Sequence, residues 1–361
     1  MKDKRKIAGL FRGFPGLGRV MSGMEILDSL RDEFGCEIKA FSYWQGEAYL
    51  RGRKGFCKIG LDAADVCPIG ILPTGAAGAE LVEKIAEFSP EAVVVDGEPL
   101  MLHQLKCVFP KLKVISLLNP SDVENSGNRP CHMAYFRTLY SMADMTIVHG
   151  LRQVENPGPF AEFHSQGTIL RKRICEIVRK PDKRVYCILG GGTVNVDSSF
   201  EVNTLEVARL TIGAMSSLPD FELVVACACP SIAIAVRKMV GDRKNVVVCD
   251  SLLDPGEIYS AAAAVVTRAG RNTLSELAWL GIPSVAFGTG GRFRTTEQST
   301  NLQCVRGALK QADLGMPQEE FNNLLRTLVT SDDAVPELRP NGREVALRTI
   351  AGFLGMKAID E

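Results

Sequence analysis

Twice in this chain an apolar, strand-like run stops at a glycine loop that opens a helix. Lys6–Phe11 (KIAGLF) runs into Arg12-Gly13-Phe14-Pro15-Gly16-Leu17-Gly18-Arg19, and RVYCI, from Arg184, runs into Leu189-Gly190-Gly191-Gly192-Thr193. Strand, glycine loop and helix in that order open a doubly wound α/β domain, because the crossover helix must pack back on a parallel sheet. Two such openings in one chain predict an α/β fold of two Rossmann-like domains facing a cleft. A single large α/β domain is the alternative.

The strand–helix alternation continues through both halves. In the first, VMSGMEILDSLRDEF has helical spacing and stops at Gly35, CEIKAFSYW reads as a strand, and AELVEKIAEFSP reads as a helix. EAVVVDGEP and KVISLLNP read as buried parallel strands, and residues 66–76, with their prolines and glycines, as a loop with exposed apolar side chains. The second half predicts helices over 201–217 and 231–240, strands at FELVVACA and NVVVCD, and helices near 297–312 and 317–330. A last helix runs from about Arg343 to Met356. The basic, polar stretch RKRICEIVRKPDKR marks the boundary. The expected division is a first domain over 1–165, a linker over 166–180, a second domain over 181–340, and a C-terminal helix in 341–361 packing back on the first domain.

At 361 residues there is chain enough for two full cores. Basic and acidic side chains number 42 each, so there is no basic face to predict nucleic-acid binding. The opening apolar run breaks at Arg12, too soon for a signal peptide, and no run approaches the roughly 20 apolar residues of a membrane span. Eleven scattered cysteines without a signal peptide predict reduced thiols and a cytoplasmic protein. Cys227 and Cys229 read as buried structural thiols, and no metal site is expected. Arg51, Arg53, Lys54 and Lys58 mix with Phe56, Ile69, Ile71 and Leu72, a combination suited to peripheral contact with a membrane surface or an anionic lipid. A solvated loop over a satellite core is the other reading.

The stretch from Val246 to Asn301 carries the most chemistry. Its strand AAVVT ends at Arg268-Ala269-Gly270, and a helix opens at Asn272-Thr273, holds Glu276 and stops at Gly281-Ile282-Pro283. Such a helix start presents unpaired N–H groups and a positive dipole end, which suit a phosphate, while Glu276 could accept hydrogen bonds from sugar hydroxyls. An ordinary βαβ unit with a solvated Glu276 is the plainer alternative. Neither glycine loop is a GxGxxG in its proper place, and GxxxxGK[ST] is absent, which argues against a dinucleotide dehydrogenase and a P-loop ATPase. Asp96 and Glu98 stand at a strand's carboxyl end, where such folds bind ligands. His103 lies on the following helix, and His132 lies in the loop after NPSDVENSGNRP. Thr295-Thr296-Glu297-Gln298 reads either as a helix cap or as a cluster of ligand-facing polar groups.

LGGGT, then CDSLLDPGEIYSAAAAVVTRAGRNTLSELAWLGIPSVAF, then TTEQSTNLQ together resemble the donor half of B-type (GT-B) glycosyltransferases. The likeness extends to the N-acetylglucosaminyltransferases of the peptidoglycan lipid intermediate and to natural-product glycosyltransferases. It is specific over 185–305 and weaker over 6–35. It implies a metal-independent, inverting glycosyltransferase that takes a UDP- or dTDP-linked sugar as co-substrate, with no further cofactor, and passes the sugar to an acceptor hydroxyl. By the resemblance, Arg268, Ala269, Gly270, Asn272 and Thr273 face the diphosphate, with Gly191, Gly192 and Thr193 as the glycine loop. Glu276 holds the ribose hydroxyls, and Glu297 and Gln298 read the donor sugar.

One position departs from the family. Where a histidine commonly follows the first glycine loop, this chain has Arg19, which stays protonated and cannot act as a base near neutral pH. Arg19 could pair with a phosphate or carboxylate of a substrate. Asp96, Glu98, His103 or His132 then takes the proton, or the reaction needs no strong base, or the chain binds without turnover. A nucleotide-sugar hydrolase or epimerase, and a non-catalytic partner subunit, are therefore the competing functions. The acceptor (small molecule, lipid-linked or protein) is not legible.

Overall fold

The computed structural model describes residues 4–14, 16–67, 69–190, 198–227, 230–251, 253–289, 295–304, 306–330 and 341–358; the side chains of 198–200 and 295 also fall outside the description. The chain divides into two compact units, Met1–Arg171 with Asn341–Glu361, and Lys172–Pro340.

The first unit runs β1 (Lys6–Phe11), α1 (Gly18–Phe34), β2 (Glu37–Ser42), α2 (Gln45–Leu50), β3 (Phe56–Lys58), β4 (Val66–Cys67), β5 (Gly70–Ile71), α3 (Ala76–Phe88) and β6 (Ala92–Asp96). It continues through α4 (Pro99–Val108), β7 (Lys113–Leu118), α5 (Pro120–Val123), α6 (Pro130–Tyr140), β8 (Met145–His149) and β9 (Phe163–Gln166). Among the described residues its main sheet has seven parallel strands in the order β3-β2-β1-β6-β7-β8-β9. Successive residues of β1 and β6 point to opposite faces, so Ile7, Phe11 and Val94 join one core and Ala8, Leu10, Val93 and Val95 the other. A sheet buried on both faces needs such uninterrupted apolar runs.

The second unit runs α7 (Lys172–Cys175), β10 (Arg184–Ile188), α8 (Ser198–Ala214), β11 (Glu222–Ala226), α9 (Pro230–Val240), β12 (Val246–Cys249), α10 (Pro255–Ala261) and β13 (Ala262–Arg268). Then come α11 (Arg271–Leu280), β14 (Ser284–Phe287), α12 (Thr295–Cys304), β15 (Leu309–Ala312) and α13 (Gln318–Thr330). Its described sheet has six parallel strands in the order β12-β11-β10-β13-β14-β15. Both sheets therefore follow the Rossmann order, in which the strand sequence reverses once and leaves a crevice at the strands' carboxyl ends. That reversal falls between β1 and β6 in the first unit, and between β10 and β13 in the second.

The chain returns to the first unit through α14 (Gly342–Leu354). Leu347, Ile350 and Leu354 pack in the same core as Ile26, Leu27 and Leu30 of α1. The Arg343 guanidinium donates to Ser29 Oγ at 3.1 Å and Glu33 Oε1 at 3.0 Å.

Two local expectations fail. The helix expected over 297–312 ends at Cys304, and Leu309–Ala312 is an edge strand beside β14. Gly307, at φ 72°, takes the left-handed conformation that breaks a helix. Residues 66–76 hold a short antiparallel ladder, and Ile71 is fully buried in the core. Phe56, Ile69 and Leu72 are half-buried, while Arg51, Arg53, Lys54 and Lys58 are exposed. No helix among the described residues is long and apolar enough to cross a membrane.

Candidate functional site

In the second unit the reversal point is built by the ends of β10 and β13. Thr267 Oγ1 donates to the Ile188 carbonyl at 3.1 Å and ties the two strands together. Arg268, the last residue of β13, lies across the start of the glycine loop: a Cβ on Gly190 would come within 2.3 Å of an Arg268 Nη. Ala269 is fixed from two sides, its N–H on the Phe287 carbonyl at 2.8 Å and its own carbonyl accepting from Asn301 Nδ2 at 3.2 Å. Gly191, Gly192 and Thr193 lie outside the described residues.

Gly270 then takes the cap position of α11. It brings no side-chain oxygen to the first-turn N–H groups, and a Cβ there would meet nothing within 4 Å among the described residues. Asn272 and Thr273 are half-buried on that first turn, and Asn272 Oδ1 accepts from Arg271 Nε at 3.0 Å. Glu276 follows on the buried side, 3% exposed, and accepts from the Tyr259 hydroxyl at 2.9 Å. Tyr259, from α10, thus sets the carboxylate's direction. Gln298 of α12 is buried, and its Oε1 accepts from Thr289 N at 2.6 Å, which ties α12 to the residues just after β14. Glu297, beside it, is half-buried. Arg268, Gly270, Asn272, Thr273 and Glu276 thus belong to one strand–loop–helix corner, and Asn301 of α12 is bonded to it.

In the first unit, Arg19 sits in the opening turn of α1, where the helix dipole disfavours a cation. Two carboxylates offset this. Nη1 donates to Asp96 Oδ1 at 2.5 Å, and Nη2 donates to both oxygens of Asp122, at 2.8 and 2.9 Å. Burial alone pushes the guanidinium down, but Asp122 and Asp96 together hold it well above its ordinary value. Arg19 is therefore a buried tie between the end of β6 and the start of α5. Its cationic charge is spent on the chain's own carboxylates. Gly97, at φ 83°, permits this, since a Cβ there would press on the Arg19 Cδ at 2.5 Å.

Glu98 is fully buried. Tyr43 donates its hydroxyl to Oε1 at 2.5 Å, and Ile71 N–H donates to Oε2 at 2.8 Å. Burial pushes its carboxyl from 4.5 up to about 7, against those two hydrogen bonds and the charges of Arg12 and Arg19. Tyr43 and Tyr140 are likewise raised, mainly by burial and then by the neighbouring carboxylates Glu98 and Asp122 respectively. His132 is not in a loop but on the first turn of α6, where Pro130 opens the helix, and it is exposed. His103 is exposed on α4, with Nδ1 3.8 Å from Cys107 Sγ.

Sequence reasoning missed Asp122, Tyr43, Tyr259 and Arg12. Asp122 carried a usable signal: Asn119-Pro120-Ser121-Asp122 is a capping box with proline at the first helical position, and Asn119 N–H indeed bonds Asp122 Oδ2 at 2.8 Å. The tyrosines carried none, because their partners are more than ten residues away in the chain.

No protein-family model matches this chain, and no curated protein matches it in sequence. Solved structures do match its fold. The crystal structure of Acinetobacter baumannii MurG is 15% identical, with a TM-score of 0.59 over 96% of this chain and 99% of that one. The putative UDP-N-acetylglucosamine 2-epimerase of Listeria monocytogenes is 13% identical, with a TM-score of 0.63 over 98% of each chain. The S. aureus MnaA–UDP co-structure is 12% identical, with a TM-score of 0.64 over 97% of each. The two-domain α/β layout is that of the GT-B fold.

Proposed function

We propose that this chain is an enzyme acting on a nucleoside-diphosphate sugar, and specifically a metal-independent, inverting glycosyltransferase with a UDP- or dTDP-linked donor. The observation that carries this reading is the β13–α11 corner: a helix start capped by Gly270, which has no side chain to bond it, followed by a buried, tyrosine-bonded Glu276. A helix start without a side-chain cap from its own cap residue, with the positive end of the helix dipole, suits a diphosphate, and in this reading Arg268, Gly270, Asn272 and Thr273 border it. Glu276 takes the ribose hydroxyls. Glu297 and Gln298 lie nearest the sugar, with Gly191, Gly192 and Thr193 as the second phosphate loop. Charge developing on the departing nucleoside diphosphate is stabilised by the same helix start, and an acceptor hydroxyl displaces it. The MurG likeness and the sequence likeness over 185–305 support this choice.

A second reading, a nucleotide-sugar epimerase or hydrolase, is favoured by Glu98. A carboxyl near 7 can both give and take a proton at neutral pH, as epimerisation and hydrolysis need, whereas the displacement needs only a group that takes the acceptor hydroxyl's proton. The epimerase likenesses support it.

UDP, dTDP and a panel of UDP- and dTDP-linked sugars should raise the melting temperature, and Glu276→Ala should abolish the rise. No rise with any of them at millimolar concentration overturns the nucleotide-sugar reading. Incubation with UDP-sugars without acceptor separates the two chemistries, since only the epimerase or hydrolase consumes or isomerises the donor rapidly.

A further inference from the structure

At the carboxyl edge of the first unit's sheet, the segments after β1 and β2 are pressed together into one surface. Ser42 Oγ donates to the Phe11 carbonyl at 2.8 Å. Gly13 lies so close to the next segment that a Cβ would fall 1.8 Å from the Tyr43 carbonyl oxygen. Gly46 N–H donates to that same carbonyl at 3.0 Å. Trp44, between them, is held at φ 50° and ψ −114°, a region that a residue with a side chain rarely enters. Such backbone strain persists only where its surroundings enforce it, and it concentrates at ligand sites.

The strained turn presents Trp44, half-exposed, against Phe14, with ring centroids 5.2 Å apart. On the other side of Phe14 stands Arg12, its Cζ 5.7 Å from the ring centre. Among the described residues the Arg12 guanidinium makes no hydrogen bond and no ion pair, and its Nε is buried without a partner. The buried Oε1 of Gln45, beside Trp44, is also without one. Arg19, by contrast, is neutralised by Asp96 and Asp122. Arg12 is thus, among the described residues, a cation without a hydrogen-bonded carboxylate beside this reversal point, its charge felt by the buried Glu98 and Tyr43.

We propose that Arg12, Trp44 and Gln45 form an acceptor site, with the buried Phe14 ring backing Trp44. Arg12 takes an oxyanion, phosphate or carboxylate, and the half-exposed Trp44 ring takes the face of an adjoining sugar. The proposal rests on the nucleotide-sugar reading and names the acceptor's class. A guanidinium offers two parallel donors to such an anion, and Gln45 Oε1 accepts from a neighbouring hydroxyl. Rings of this kind bind a sugar through its C–H face while leaving its hydroxyls to polar partners.

The chain has two tryptophans, Trp44 and Trp279, so Trp279→Phe leaves Trp44 as the only indole reporter. This protein is titrated with glucose 1-phosphate, glucuronate, farnesyl phosphate and glucose while indole emission is recorded. At least one of the two anionic sugars should give a saturable change, with glucose at least about tenfold weaker. Arg12→Gln should weaken the anion response by at least about tenfold and leave the glucose response as it is, with Arg12→Lys between. If Arg12→Gln does not fold, Arg12→Lys carries the test. No saturable response to either anionic sugar by about 20 mM, or an equal response from Arg12→Gln and Arg12→Lys, overturns the site. A response to farnesyl phosphate alone overturns the sugar face and assigns the anion to a lipid phosphate. The UDP-induced melting shift is measured in the same samples. A silent Trp44 with that shift intact removes this site alone, whereas a missing shift removes the donor reading.

Discussion

The Tyr43 hydroxyl and the Glu98 carboxylate meet at 2.5 Å, fully buried, and join the segment after β2 to the one after β6. Both groups have pKa values raised by burial, so the pair holds its protons to higher pH than either would in water.

That pair makes stability depend on pH in a stated direction. The folded protein holds the Glu98 proton up to about 7, and the unfolded chain releases it near 4.5, so stability is highest below 4.5 and falls as pH rises to about 7. At roughly 1.4 kcal/mol per pH unit the loss is about 3 kcal/mol. Glu98→Gln should flatten this segment of the profile. Urea unfolding at pH 5 and pH 8, followed by Trp44 emission in Trp279→Phe, measures it; an unchanged difference between the two pH values contradicts it.

Arg19→Ala leaves the buried Asp96 carboxylate and the half-buried Asp122 carboxylate without their cation. It should cost about 3–5 kcal/mol of first-unit stability, and Arg19→Lys should recover only part, because a point charge cannot serve both partners at once. Denaturant midpoints read the effect. A neutral Arg19→Ala would mean that the tie is not made in solution.

Gly13→Ala should be among the most damaging single methyl additions in the first unit. Its Cβ would overlap the Tyr43 carbonyl, and backbone cannot swing aside as a flexible side chain can. A loss of about 2 kcal/mol or more, with weakened Trp44 responses, is expected from thermal unfolding and emission spectra.

Gly270→Ala tests the donor corner without disturbing its packing. The added methyl meets nothing within 4 Å among the described residues, so free-protein stability should fall by only about 1 kcal/mol, the ordinary cost of alanine at a helix cap. On the proposed function the same methyl occupies the space a phosphate needs. The UDP-induced melting shift should therefore shrink well below that of the parent protein.

Local regularities carried the sequence reading a long way, and non-local ones limited it. Strand β1 and the Gly35 stop of α1 appear where the apolar runs and the glycine place them. β15 was lost because LKQA has no apolar run of its own and becomes a strand only by pairing with β14. Gly270 and Glu276 were visible because they lie within two helical turns of each other. The fate of Arg19 was not, since its partners Asp96 and Asp122 stand 77 and 103 residues away. For the same reason Arg12 passed unnoticed: what distinguishes it is that its guanidinium has no hydrogen bond or ion pair among the described residues, and that can be seen only once the partners of its neighbours are known.

The return of α14 to α1 gives the molecule an assembly order. The second unit is one continuous segment, whereas the first lacks the cover of Ile26, Leu27 and Leu30 until Leu347, Ile350 and Leu354 have been made. During synthesis the inserted unit has its whole sequence before the enclosing unit does, so the N-terminal sheet waits with one apolar flank open for some 170 residues of chain. The last helix is thus the closing piece of the unit that was begun first.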